Sequence, residues 1–318
     1  MMDTIRSYKL REPKWMRDVQ NLTLFITLSL LITCSPLWSR QLAVLESNMV
    51  SVYYDEPLSS AAREVAHVYP RVRAELEATL MWRVDFRPTV LLVSDRETFS
   101  WMAGSSLFVA YALPEKMLIV IDYSRMNTEP FTLAPTIKHE LCHLLLHRSI
   151  QKSHLPRWLD EGVCQWASGG FAELITGRRQ SALSWAALSG RFIMLDALVR
   201  NFPEDEQSLA LAYEESRSLV EYIVATFGRN GILNILETMK NGQGVNDAIS
   251  MSLGITLEEL EKRWQESQRS WTIIISYLVV NLYTILFVCA ALLTIAIYIR
   301  VLIRKRRFKD EEDDSPVP

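Results

Sequence analysis

No charged residue occurs between Thr272 and Ile299, a run dominated by Ile, Leu, Val, Ala and Tyr. About 20 helical residues suffice to cross a bilayer, so this run is long enough to span one with some tilt. Arg300, Arg304, Lys305, Arg306, Arg307 and Lys309 follow at once, and a basic cluster of this kind marks the cytoplasmic flank of a span. A second uncharged stretch, Val19 to Ser39, is preceded by Arg6, Lys9, Arg11, Lys14 and Arg17, which puts its basic flank on the same side. The expected organisation is a basic cytoplasmic N-terminus (1–18), a transmembrane or signal-anchor helix (19–39), an exported domain (40–270), a transmembrane helix (272–299) and a cytoplasmic charged tail (300–318). Such a chain is integral to an inner or plasma membrane, with membrane lipid around its spans and its large domain on the non-cytoplasmic side.

The first apolar stretch also fits a signal peptide, since a basic head precedes Leu22 to Thr33, although no A-x-A site follows it. Cys34 after Leu31, Ile32 and Thr33 is loosely like a lipoprotein box, with Thr33 where a smaller residue is usual. At 318 residues and 49% hydrophobic, the chain has room for one sizeable soluble core beside its membrane segments. The net charge of -3 provides no basic field that would draw in DNA or RNA, so no nucleic-acid partner is expected. Four cysteines are too few for a disulfide framework in a domain of this size.

Val50 to Tyr54, Thr89 to Val93, Leu107 to Ala112 and Met117 to Ile121 read as short strands of one small sheet. Between the first two, Val65, Val68, Tyr69, Val72, Leu76 and Leu80 predict a helix over Ser59 to Trp82 that covers the sheet, with a kink at Pro70. After residue 134 the pattern turns helical, with candidates at Ala134 to Arg148, Arg157 to Ala167, Glu206 to Phe227, Gly231 to Lys240 and Leu257 to Ser267. Ser153 to Pro156 and Gly228 to Gly231 read as breaks. The fold class is α+β, a small sheet followed by helices, without internal repeats. Past the basic cluster, Asp310 to Asp314 predict a solvated, disordered end.

The chemistry is concentrated in His139-Glu140-Leu141-Cys142-His143, an H-E-x-x-H within a helical stretch. Residues four apart share a helix face, so both imidazoles can point at one ion while Glu140 reaches the water bound to it. With five histidines in the chain, independent placement produces such a match in roughly half a per cent of cases. The alternative is a helix whose two histidines make ordinary hydrogen bonds. A hydrolytic zinc needs a third protein ligand and one open position. Leu146 and Ser149 stand where a metzincin would carry Gly and His, which excludes that arrangement. His147 would have to reach back past His143, and His154 sits in a loop. Glu161, at the start of a second helix and after a loop around Lys152 to Pro156, completes a His2Glu set, the donor set of catalytic zinc hydrolases. Its competing reading is an exposed first-turn carboxylate favoured by the helix dipole.

The run HELCHLLLH with WLDEGVCQWAS resembles the gluzincin pattern, specifically the Peptidase MA-like families in which H-E-x-x-H is followed by W-L-x-E-G. Tyr213 to Ile223 and Ile255 to Trp264 are similar to the later helices of those families, and the resemblance covers roughly residues 50–268. It implies a thermolysin-like zincin domain, here expected between two transmembrane helices, with a peptide or protein substrate lying along the sheet edge and Zn2+ as cofactor. On this reading Glu140 takes the proton of a zinc-bound water and delivers it to the leaving amine. Many gluzincins carry an acidic residue one turn after the glutamate ligand, where it orients a metal-bound histidine. This chain has Gln165 there, whose amide oxygen can accept the histidine N–H but raises ligand basicity less. Tyr213 matches a family tyrosine and is the candidate oxyanion donor, although Leu209, Tyr213, Val220 and Phe227 also share a packing face. Arg217 is a candidate for binding a substrate carboxylate.

Cys142 and Cys164 fall on the two ligand helices, as a clamping disulfide or as two buried thiols. Two other functions compete with the peptidase: a membrane-tethered binding or scaffolding protein that keeps the fold without turnover, and an intramembrane metalloprotease. The latter needs its H-E-x-x-H inside a span, and Lys138, His147 and Arg148 crowd this one.

Overall fold

The computed structural model describes residues 42–126, 131–170, 182–269, 278 and 281–313. Among them, five strands form one sheet in the order β1-β2-β3-β5-β4, with β1 Ala43–Glu46, β2 Ser51–Tyr54, β3 Thr89–Val93, β4 Ala110–Leu113 and β5 Leu118–Asp122. The central trio β2, β3 and β5 is parallel, and the edges β1 and β4 run antiparallel to their neighbours. The centre reads as unbroken apolar sequence, Thr-Val-Leu-Leu-Val and Leu-Ile-Val-Ile-Asp, because central parallel strands are covered on both faces. Helix α1, Ser59–Leu80, makes the crossover from β2 to β3 that parallel pairing demands, and buries Val65, Tyr69, Val72, Leu76 and Leu80. The helix continues through Pro70, which lies on its exposed side.

Four elements were not predicted: the helices Ala182–Ser189 and Val245–Leu253 of the later half, and β1 and a further helix in this half. Strand β1 has half its residues exposed and is too short to display a period. Helix α2, Arg96–Ala103, is capped by Asp95, whose carboxylate accepts from the N–H groups of Glu97 and Thr98, and it closes on Gly104 at φ 69°. Strand β4 begins three residues later than the sequence pattern indicates.

The helical half follows as α3 Leu133–Ser149, α4 Arg157–Ala167, α5 Ala182–Ser189, α6 Glu206–Lys240, α7 Val245–Leu253 and α8 Leu257–Gln268. Helix α3 is buried almost all round, from Thr136 and Ile137 through Leu146. Each fully buried Leu or Ile there contributes about 1.5–3 kcal/mol, so packing rather than helix propensity holds this helix in place. Helix α6 is bent at Gly228, whose φ 75° and ψ 168° leave helical geometry where the sequence indicates a break. Helix α4 lies in contact with both α3 and α6. Gly162 allows the second contact: a Cβ at that position would overlap the backbone carbonyl of Ser216 on α6.

Helix α9, Leu282–Asp313, contains the stretch Leu282–Arg304, long and apolar enough to cross a membrane and not buried against the other described residues. It continues through the basic cluster to Asp313, where a disordered end was expected. The predicted first span, Val19 to Ser39, and most of the second before Leu282 lie outside the described residues.

Candidate metal centre

Helix α3 presents His139 and His143 one turn apart, and α4 brings Glu161 to the same point. The two Nε2 atoms stand 3.2 Å apart, and each is 3.6 Å from Oε2 of Glu161. Three tetrahedral ligands about 2.0–2.1 Å from a zinc ion stand roughly 3.3–3.4 Å from one another, so this triangle already has the size the ion requires. Glu161 Oε2 is buried and accepts no hydrogen bond among the described residues, which is the state of an oxygen reserved for a cation. Its partner oxygen is held by a guanidinium: Arg157 Nη2 lies 2.5 Å from Oε1, and the Arg157 cation sits over the ring of Phe202. The donor set therefore fits zinc.

Asp160 supplies the support that the sequence pattern sought at position 165. Its Oδ1 accepts from Nδ1 of His143 at 2.7 Å, and its Oδ2 accepts from Nε2 of His147 at 2.8 Å. A carboxylate only accepts, so the His143 proton sits on Nδ1 and the Nε2 lone pair faces the centre. Gln165 does something else: its amide Nε2 donates to the Tyr213 carbonyl at 3.0 Å and ties α4 to α6. His147 is not a third ligand but the second histidine gripped by Asp160. Arg217 is engaged by Glu221 at 2.7 Å and by the Gly170 carbonyl at 3.2 Å, away from the role of a free substrate clamp. Tyr213 is beside the centre, its hydroxyl donating to Glu161 Oε1 at 3.4 Å and its ring set edge-on to Phe202.

The electrostatics of the site favour a positive charge. Burial works against the imidazolium of His143, but Asp160 and Glu161 outweigh it and draw the His143 pKa well above its ordinary value. Burial likewise penalises the Glu161 carboxylate, yet Arg157 and His143 hold it well below the usual range, so it is ionised. A field that would attract a proton to this point attracts a divalent cation more strongly. His139, Glu140 and Glu161 are all fully buried. Cys142 and Cys164 are both free, buried thiols. Cys164 Sγ lies 3.5 Å from Nδ1 of His143, the nitrogen already committed to Asp160. Burial first, then Cys142 and the nearby carboxylates, push the Cys164 thiol pKa well above its ordinary value.

Of the residues that sequence reasoning singled out, His139, His143 and Glu161 come together, Glu140 is buried on the same helix as the histidines, and Asp160 and Arg157 were missed. Asp160 carried a signal: it is one residue from the ligand, about 100° round a helix that faces α3, opposite a histidine one turn beyond His143.

The family profile of the Peptidase MA superfamily matches residues 100–270. No curated protein matches the chain. Among solved structures, Legionella pneumophila aminopeptidase A in complex with aspartic acid is similar at 15% identity and a TM-score of 0.42, over 70% of this chain and 27% of that one. An M1 zinc metallopeptidase from Deinococcus radiodurans is similar at 15% and 0.42, over 73% and 51%, and native yeast LTA4 hydrolase at 14% and 0.44, over 72% and 38%. The chain thus spans between about a quarter and a half of the length of these proteins. Membership rests on the profile match, which covers more than half of the sequence and includes H-E-x-x-H, the glutamate ligand and the helices behind them: this chain belongs to the Peptidase MA superfamily.

Proposed function

We propose that the chain is a membrane-anchored, zinc-dependent metallopeptidase that hydrolyses peptide bonds of a peptide or protein substrate outside the cytoplasm. The observation that carries this reading is the convergence of His139 Nε2, His143 Nε2 and Glu161 Oε2 within 3.2–3.6 Å of one another. When bound by these three, zinc supplies Lewis acidity and lowers the pKa of a bound water toward neutrality. Glu140, the general base on the same helix, accepts the proton of the attacking water and returns it to the leaving amine, work that typically contributes 10²–10⁴-fold. Asp160 holds the His143 ring in the tautomer that exposes Nε2. Arg157 occupies Oε1 of Glu161 and so leaves one carboxylate oxygen, Oε2, for the metal. Tyr213 donates toward the oxyanion of the tetrahedral adduct. The uncharged first part of helix α9, Leu282 to Ile299, and the basic residues that follow it support the anchor and its orientation.

Zinc content and hydrolysis of a peptide library by the detergent-purified chain test the reading. Glu140→Gln is expected to keep its zinc and lose turnover by at least about 10²-fold, while Glu161→Ala is expected to lose zinc. Stoichiometric zinc without hydrolysis of any peptide would favour the catalytically silent, membrane-tethered scaffold. Absence of zinc from the unmodified chain overturns the peptidase reading.

A further inference from the structure

Helix α5, Ala-Leu-Ser-Trp-Ala-Ala-Leu-Ser, has no charge, yet it lies at the surface. Trp185 is 63% exposed and Leu188, three residues on and on the same helix face, is 38% exposed. That presentation is fixed from the inner side. The Glu214 carboxylate accepts from the N–H groups of Ala182 and Leu183 at 3.1 and 2.8 Å and so caps the helix. Ala186 and Ala187 are buried, and further along the Ile193 and Leu195 N–H groups donate to Glu215 and Glu261. The outward Trp and Leu are therefore held in position rather than displaced from the core.

The place of this helix in the chain identifies what it faces. Gly190, directly after α5, lies against the guanidinium of Arg269, close enough that a Cβ would overlap Nη2. Ala187, Leu188, Ser189, Gly190 and Arg269 line one shallow hollow. Arg269 is three residues from Thr272, where the uncharged run begins. Three residues reach at most about 11 Å, and each polar boundary of a bilayer is roughly 5–8 Å deep. The hollow beside Leu188 thus stands within about 11 Å of the start of the uncharged run, little more than the depth of one polar boundary. Trp is favoured at that depth, apolar neighbours reach below it, and arginine meets lipid phosphate.

We propose that the α5 face docks on the membrane that the chain itself spans, with Trp185 and Leu188 in the headgroup boundary and the exposed Arg191 and Arg269 on lipid phosphates. This rests on the membrane-anchored reading above. Docking of this kind fixes the peptidase domain against the bilayer instead of leaving it to swing on its tether.

The test uses the full chain in phosphatidylcholine–phosphatidylglycerol vesicles, with Cys34→Ser and Cys289→Ser so that only an introduced thiol is labelled, Cys142 and Cys164 being buried. A fluorophore is placed by Leu188→Cys or, as reference, by Trp101→Cys on α2, an exposed site on an element packed against the sheet. Insertion by about 5–10 Å brings the first label into contact with lipid-borne nitroxide, so its quenching is expected to exceed that of the reference by at least about twofold. Equal quenching at both sites, in a chain that withstands alkaline carbonate, overturns docking and leaves the anchor intact. Release of the chain by carbonate overturns the anchored reading, and docking with it. Protection of position 188 from aqueous iodide without lipid quenching overturns docking in favour of a protein covering the face.

Discussion

Asp160→Asn separates the charge of the carboxylate behind the metal centre from its shape. Asp160 is 2% exposed and accepts from His143 at 2.7 Å and from His147 at 2.8 Å. An asparagine retains one acceptor oxygen, enough for His143, but turns an NH2 toward the second ring and removes the negative charge that raises the basicity of His143 Nε2. Partners of this kind change metal affinity by 10–100-fold, which is about 1.4–2.7 kcal/mol. The assay is titration of chelator-stripped chain with zinc against a chromophoric competitor, followed by peptide hydrolysis at saturating zinc. A Kd raised by about 10–100-fold is expected, with most of the activity recovered once zinc saturates. His147→Gln leaves the inner hydrogen bond in place and is expected to cost less than about tenfold. Unchanged zinc affinity in Asp160→Asn, or an equal loss in His147→Gln, would refute the assignment of Asp160 as the orienting group.

Tyr213→Phe removes a hydroxyl 3.4 Å from Glu161 and is expected to lower kcat by about 10²-fold with zinc content unchanged; steady-state kinetics beside metal analysis check this, and wild-type kcat would reduce Tyr213 to packing. Gly162→Ala forces α4 away from the Ser216 carbonyl, at a cost of about 1–3 kcal/mol, read as a lowered Tm. Glu215 is fully buried; burial first, then Glu261 and Glu214, push its pKa from 4.5 up to about 8. The folded state then binds the proton more tightly than the unfolded one, so the stabilisation is complete below about pH 4.5 and is lost as pH rises to about 8. Melting curves at pH 5 and 8 are expected to show this decline, at most about 5 kcal/mol, and to show it flattened in Glu215→Gln.

The legible parts of this protein were those whose signal is local. H-E-x-x-H depends on the repeat of a single helix, and α4 was bounded correctly at Arg157 and Ala167 because Pro156 and the apolar spacing mark it. Glu161 was reached through the spacing of the two motifs. Asp160 escaped because its two partners lie on another helix, and only the contact between α3 and α4 shows which turn of each meets which. The same holds for Arg157, whose charge reads as ordinary helix-start solvation until Phe202 and Glu161 are seen around it. Gln165 was assigned by family position; its amide nitrogen donates to the Tyr213 carbonyl, and the carboxylate on His143 is that of Asp160. In the sheet, β1 went unseen because the alternation of its burial spans only four residues and its sequence, Ala-Val-Leu-Glu, does not repeat it.

Asp160, Glu161 and Gly162 are consecutive, and each serves a different neighbour: the histidines of α3, the metal centre and the backbone of α6. Successive helical residues point about 100° apart, so the three roles are assigned by phase alone. A single inserted or deleted residue ahead of them in α4 would rotate all three off target together. Exchange of side chains can be graded at this helix; a change in its length cannot.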